Sequence, residues 1–390
     1  MRNSMGLGYK GWKKEEIILR RSEAFSVCLI INKMEFGGNL IFGVKEDNMN
    51  SRELVIKTLE FHNFSENVPI QMWVLPWAEI HHKGYVEQIN ASFDWDIVSA
   101  PSLLKKETIS TKGNAFEIGE YIDEWGCIFE NKHRGIIGEV KKPIVNGEEW
   151  EDYENVKIPY EMLDLDLEEI NNFVKGTDKF VLSDLVRPFE RLQFIRGTEN
   201  LFVDLMFMPG NMKKFLEKMH EFHCAYLELW GQTNVDGLFF MDDWGAQRSL
   251  LINPKIWVEV FKPLYKDYID IAKKYNKKIF MHSDGYILDI IPHLIELGLD
   301  AINSQIFCIG IDKLSEFKGK ITFWGEMDRQ ALLPNGSEEE ILEAVRVVKE
   351  KLWYKGGIIG QCEFDPGAKP ENVYKVFEGW KANDGLEVLV

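Results

Sequence analysis

Short apolar runs and amphipathic stretches alternate along most of the chain, and the apolar runs repeatedly stop at titratable residues. The clearest case is Lys277 to Gly285, KKIFMHSDG, where Ile279, Phe280 and Met281 lead into His282, Ser283, Asp284 and Gly285. An apolar run of this length, between a charged helical pattern and a polar cluster, predicts a parallel strand buried on both faces. Further strands are predicted at 68–75 (introduced by Pro69), 94–99, 179–184, 236–241, 300–305, 320–325 and 357–362. Amphipathic helices fall between most of them. One covers 50–63, with Leu54, Ile56, Leu59 and Phe61 as core positions. Others cover 165–175 behind an Asp164 or Asp166 cap, 211–233, 254–275, 287–297 closed by Gly298, a short 313–318, and 370–380. Ser337 opens another, with Glu340 completing a capping box. This alternation gives an α/β chain and favours a (β/α)8 TIM barrel over a doubly wound open sheet. Residues 108–150 break the rhythm. Their alternating segments, punctuated by Gly119, Gly126, Gly135 and Gly138, predict a small antiparallel hairpin insertion after the second strand.

Residues 1–48 read differently. Ala24 to Ile31 is largely apolar, but it is too short to span a membrane and lies too far in for a signal peptide. Lys45, Glu46 and Asp47 can be encoded by a bacterial ribosome-binding sequence ahead of an ATG at Met49. Residues 1–48 are therefore expected to be a non-native or disordered extension, and 49–390 the barrel domain. On that expectation, a chain begun at Met49 melts at the same temperature as the full one.

Composition narrows the partners. Of 390 residues, 45% are hydrophobic and 13% aromatic, enough for a large core, and the net charge is −17. An acidic surface excludes nucleic acid and a basic membrane-binding patch, and suits a cytoplasmic protein that docks a basic partner. The five cysteines (28, 127, 224, 308 and 362) form no CxxC, which argues for a reducing compartment; Cys127, Cys224 and Cys308 read as structural. No GxGxxG or Walker loop supports a nucleotide site.

In a barrel of this class the strand ends share one mouth. Asp184, Asp242, Asp243, His282, Asp284, Gln305, Glu326, Asp328, Cys362 and Glu363 are expected around it. Crowded carboxylates raise the pKa of at least one member and so provide an acid–base group. They also invite a divalent metal, and His282, Asp284 and Cys362 are ligand types that zinc accepts. Each residue has a plainer reading. Asp242 and Asp243 suit a loop cap, His282 a core histidine, and Cys362 an inert buried thiol. His220 and His223 read as solvated helix surface. Trp77 and Trp244 are candidates to line a pocket for a flat substrate, and the other tryptophans near strands read as packing.

From about Met49 to the C-terminus the chain resembles the uroporphyrinogen decarboxylase superfamily, in its branch of cobalamin-linked methyltransferases and decarboxylase-like relatives. The resemblance is carried by NSRELVIKTLEFHNFSENVPIQ, DEWGCIF, MDDWGAQRSLLINPKIW, KIFMHSDG, FWGEMD and GQCEFDPGAKPENV. Two departures narrow it. True decarboxylases carry an arginine-bearing motif close to RQAGR after the first strand, where this chain has Leu75 to Ile80, LPWAEI. The coenzyme M methyltransferases bind zinc through His-x-Cys and a distant Cys, where this chain has His282-x-Asp284 and Cys362. What remains resembles the first methyltransferases of O-demethylase-type systems. That resemblance implies zinc on His282, Cys362 and Asp284 or Glu326. It also implies a proton supplied or relayed by Asp242, Asp243 or Glu363, with Glu326 and Asp328 completing the acidic group. Trp77, Trp244 and Gln305 would touch the substrate. A methyl group would pass from a methoxylated or methylated small molecule to a corrinoid carried by a partner protein. Two alternatives stay open: a metal-free decarboxylase acting on a tetrapyrrole-like substrate, and a non-catalytic corrinoid- or tetrapyrrole-binding protein.

Overall fold

A computed structural model describes residues 31–36, 39–44, 49–106 and 109–382. It divides into Met1–Met49 and Asn50–Val390. In the first unit Ile31–Phe36 and Asn39–Val44 pair as an antiparallel hairpin. The rest of the expected 1–48 extension lies outside the described residues.

Among the described residues the second unit carries eight parallel strands: β1 (Ile70–Val74), β2 (Ile97–Ser99), β3 (Phe180–Val186), β4 (Gly237–Met241), β5 (Lys278–Ser283), β6 (Ala301–Ser304), β7 (Thr322–Phe323) and β8 (Gly360–Phe364). β2 to β7 pair in sequence order, and β8 pairs with β1. Parallel bridges Phe323–Ile358 and Glu326–Gln361 join β7 to the β8 segment. On the other side Asp96 donates its N–H to the Ile70 carbonyl at 2.9 Å, beside the starts of β2 and β1. The ring closes, as the alternation of the sequence predicts. The expected insertion is a three-stranded antiparallel sheet, Gly119–Ile122, Ile128–Asn131 and Glu139–Lys142, between β2 and β3.

Strand alternation sorts the core into two layers. Phe180, Leu182, Phe239, Phe280, Ala301, Trp324 and Ile359 fill the barrel. Val55 and Leu59 of helix Ser51–Leu59 join that interior cluster and plug the end where the strands begin. Neighbouring positions such as Ile279, Met281, Ile302 and Cys362 face the helical layer instead. Several helix ends match their sequence signals. Asp166 accepts from Glu169 N, Ser337 and Glu340 form both bonds of the capping box, and Gly298 takes φ +90°.

The sequence pattern predicts no helix at Pro76–His81, Lys83–Ser92, Pro188–Arg196 or Thr198–Phe207, and the last two show why. Their buried faces include charges: Arg191, Arg196 and Asp204 are all buried beside Leu192, Ile195 and Leu205. Arg196 binds Asp204 through Nε at 2.6 Å, and Trp150 Nε1 donates to the same carboxylate. Buried ion pairs read as polar positions and blur a helical stripe. The surface reading of His223 also fails. Helix Gly210–Gly231 packs against both helix Pro254–Lys274 and the insertion. His223 is therefore buried, near the Tyr268 hydroxyl and the Trp125 ring, and burial holds it neutral. Among the described residues, no helix is long and apolar enough to cross a membrane.

Candidate active site at the barrel mouth

Along β5, Phe280 points into the barrel, so His282 does too, one layer higher and 5.3 Å from the Trp73 ring. Its Nδ1 lies 2.5 Å from Asn303 Oδ1 on β6. The Asn303 amide donates in turn to the Trp324 carbonyl, which fixes its oxygen toward the imidazole. His282 Nδ1 must therefore be the donor, and Nε2 faces the mouth. There it lies 3.4 Å from Asp243 Oδ1 and 3.7 Å from Asp284 Oδ1. These three side chains can offer ligand atoms within 4.8 Å of one another. Burial alone would lower the imidazolium pKa, but Asp243, Asp284 and Glu326 outweigh it and raise His282 to about 10. Burial likewise opposes ionisation of Asp243, yet the contact with His282 holds its carboxyl below the usual range.

The loops after β4 and β5 hold these carboxylates through their backbones. Gly245 N–H donates to the Asp284 carbonyl at 3.0 Å, and Asp284 N–H donates to Asp243 Oδ1 at 2.9 Å. Gly285 sits at φ +75°, and a Cβ there would stand 2.2 Å from the Gly245 carbonyl oxygen. Gly285→Ala is expected to cost about 1–3 kcal/mol in backbone strain. It should also push Asp284 away from His282, and a thermal melt should show the variant unfolding at a lower temperature than the parent.

Arg329 completes the mouth, and the sequence reading missed it. It pairs with Asp284, reaches Glu363 at 2.5 Å, and places Nε 3.1 Å from Glu326 Oε2. That last contact lacks hydrogen-bond alignment, so both Glu326 oxygens are buried without a hydrogen bond. Burial, reinforced by Asp284, raises Glu326 to about 8. Burial also raises Glu363 and, with the Glu363 charge, takes Asp365 to about 6. Arg329 follows Glu326 by three residues in FWGEMDR, a spacing that brings both to one side of the turn after β7. Glu190 was missed too: it is a largely buried carboxyl with one unpartnered oxygen, raised by burial.

The other expected site residues divide. Gln305 and Asp328 line a cavity of about 150 Å³ with Glu326 and Arg329. Asp328 Oδ1 also accepts from the Gln330 and Ala331 N–H groups, as a loop cap does. Asp242 faces away from the mouth and is fully buried. Its Oδ1 accepts from Phe189 and Glu190 N–H at the start of helix Pro188–Arg196, and its Oδ2 from the Tyr265 hydroxyl. Cys362 is fully buried in the layer between barrel and helices, because Gln361 and Glu363 take the inward positions of β8; burial pushes its thiol well up. It is not brought together with His282 and Asp284, and Asp243 stands in its place. Trp244 is core, stacked 3.9 Å from Phe189. Trp77, half-buried, stacks on His81. Asp184 binds the Ser102 and Tyr226 hydroxyls beside a different cavity.

The family described as uroporphyrinogen decarboxylase (URO-D) matches residues 123–382. Among solved structures, a methyltransferase from Methanosarcina mazei aligns with a TM-score of 0.60 at 14% identity, covering 86% of this chain and 99% of that one. At that identity the likeness is one of fold. A B12-independent methionine synthase from Shewanella sp. W3-18-1 gives a TM-score of 0.34 at 11% identity, over 56% of this chain and 65% of that one, too distant to bear on the site. No curated protein matches by sequence.

Proposed function

Because the chain belongs to the uroporphyrinogen decarboxylase (URO-D) family, we propose that it is an enzyme working at its barrel mouth as a metal-assisted methyltransferase. The methyl group would leave a methylated or methoxylated small molecule and pass to the reduced corrinoid of a separate protein. The observation that carries this reading is the convergence of Asp243, His282 and Asp284. The donor set fits a divalent metal such as zinc. His282 presents Nε2 with its other nitrogen committed to Asn303, and Asp284 Oδ1 is buried without a hydrogen-bond partner. Zinc held there would act as a Lewis acid toward the leaving oxygen or nitrogen of the donor.

The chain's own groups do the rest. Glu326, raised to about 8, keeps its proton at neutral pH and gives it to the departing oxygen or nitrogen. Arg329 ties Asp284 and Glu363 into one network and fixes where Asp284 points. Gln305 and Asp328 border the small cavity in which the donor's reacting end would sit.

The test is to incubate the purified protein with a reduced corrinoid and a panel of methyl ethers and methylamines, following methyl transfer by absorbance. Glu326→Gln should slow transfer by about 100- to 10,000-fold while keeping the metal. It should also remove a fall in rate as pH rises through about 8, since the acid form is the active one. A silent panel, with carbon dioxide released from a porphyrinogen, would replace this reading with decarboxylation.

A further inference from the structure

A second cavity, of about 340 Å³, lies beside the mouth, among the insertion sheet, the end of β3 and helix Gly210–Gly231. Tyr121, Trp125, Phe129, Phe194, Phe222 and Tyr226 line it, together with five charged groups. Three of the charges are spent on one another. Arg191 pairs with Asp123 and, at 3.0 Å, with Glu124, its guanidinium 5.0 Å from the Trp125 ring centre. Two charges remain for a ligand. The Asp184 carboxylate is held by the Ser102 hydroxyl at 2.6 Å and the Tyr226 hydroxyl at 2.7 Å. Arg187 has one loose ion pair, 3.8 Å to Glu190, and its charge also acts on Asp243. Arg187 follows β3 directly, and Val186 pairs with Phe240 of β4, the strand that leads to Asp243. The cavity therefore adjoins the strand ends that build the metal cluster.

We propose that this cavity binds a compact zwitterion, an N-methylated ammonium with its own carboxylate. A bare anion would meet Asp184 and the surplus acid of Asp123 and Glu124, and a bare cation would meet Arg187. A ligand with both signs satisfies both side chains. Aromatic walls favour an alkylated ammonium, which gives up little hydration on leaving water, and the Arg187 fork suits a carboxylate. The volume lies near the lower end of the range for ligand pockets, so it suits a molecule far smaller than a tetrapyrrole. The cavity assignment stands without the methyl-transfer reading. Only the ligand's role as a donor rests on it, and a quaternary ammonium would then lose its methyl group by leaving as a neutral amine, with no metal on its nitrogen.

The experiment is calorimetric titration of the whole protein, without any corrinoid, using N,N,N-trimethylglycine, tetramethylammonium and benzoate as probes. Trimethylglycine should bind most tightly. Arg187→Gln should weaken it at least tenfold, to the level of tetramethylammonium, and leave tetramethylammonium no weaker. Asp184→Asn should weaken both cations. Ala115→Trp, at the half-buried rim, should fill the cavity and abolish binding in a protein whose circular dichroism is unchanged. Tightest binding of benzoate would make this an aromatic-acid pocket and overturn the proposal. Trimethylglycine binding that ignores Ala115→Trp, or no binding of any probe, would also overturn it. Trimethylglycine binding with no methyl transfer from any member of the ether and methylamine panel would leave the cavity assigned and remove the methyltransferase reading. Transfer from ethers without trimethylglycine binding would do the opposite.

Discussion

Asp242→Ala should destabilise the barrel by about 2–5 kcal/mol, whereas Asp243→Ala, one residue on, should destabilise it less and remove the proposed metal binding. The contrast follows from strand alternation. Asp242 is fully buried against the helical layer, while the Asp243 side chain is 39% exposed at the mouth. Removing the Asp242 carboxylate strips a cap from the two N–H groups that open helix Pro188–Arg196, worth about 1–2 kcal/mol. It also strands the Tyr265 hydroxyl, which accepts from Trp244 Nε1 and has Asp242 as its own acceptor, at a further ~1–3 kcal/mol. Asp243 gives up one backbone partner, the Asp284 N–H, and its contact with His282, at the more exposed edge of the mouth. Denaturant titration of both variants, with zinc content measured in parallel, checks the pair. An Asp242→Ala protein as stable as the parent would return Asp242 to the catalytic candidates.

That pair also shows what a sequence exposes and what it hides. Apolar runs ending in acids made the barrel legible, because a parallel strand buried on both faces must be continuously apolar and its loop must then meet water. The hairpin insertion was legible from its glycines and alternation for the same kind of reason. Which strand-end residue faces the mouth was not legible, since a shift of one position exchanges the two faces. Adjacent letters such as Asp242 and Asp243, or Cys362 and Glu363, look equally suited to chemistry, and only the register separates them. Arg329 stayed hidden because its partners come from three different strand ends. Asn303 was passed over because its role, fixing a tautomer, appears only once β5 and β6 lie side by side.

Zinc binding at neutral pH should expel about one proton, and His282→Ala should lower the affinity on the order of 100-fold or more. In the metal-free protein His282 is raised to about 10, so at pH 7 it carries a proton on the Nε2 that faces Asp243 and Asp284. A metal competes for that nitrogen. The bound form lacks the proton, so affinity should rise about tenfold per pH unit toward pH 10 and fall as pH falls. Asn303→Leu removes the acceptor that keeps the proton on Nδ1 and should weaken binding by about 10- to 100-fold. Cys362→Ala should change it little, because the thiol lies in the apolar layer outside the barrel. Calorimetry in buffers of different ionisation enthalpy reads the released proton directly. Zinc binding with no proton release and no loss in His282→Ala would place the metal elsewhere. No binding at all would leave Asp243, His282, Asp284 and Arg329 as an ion-pair network that orients substrate without a metal.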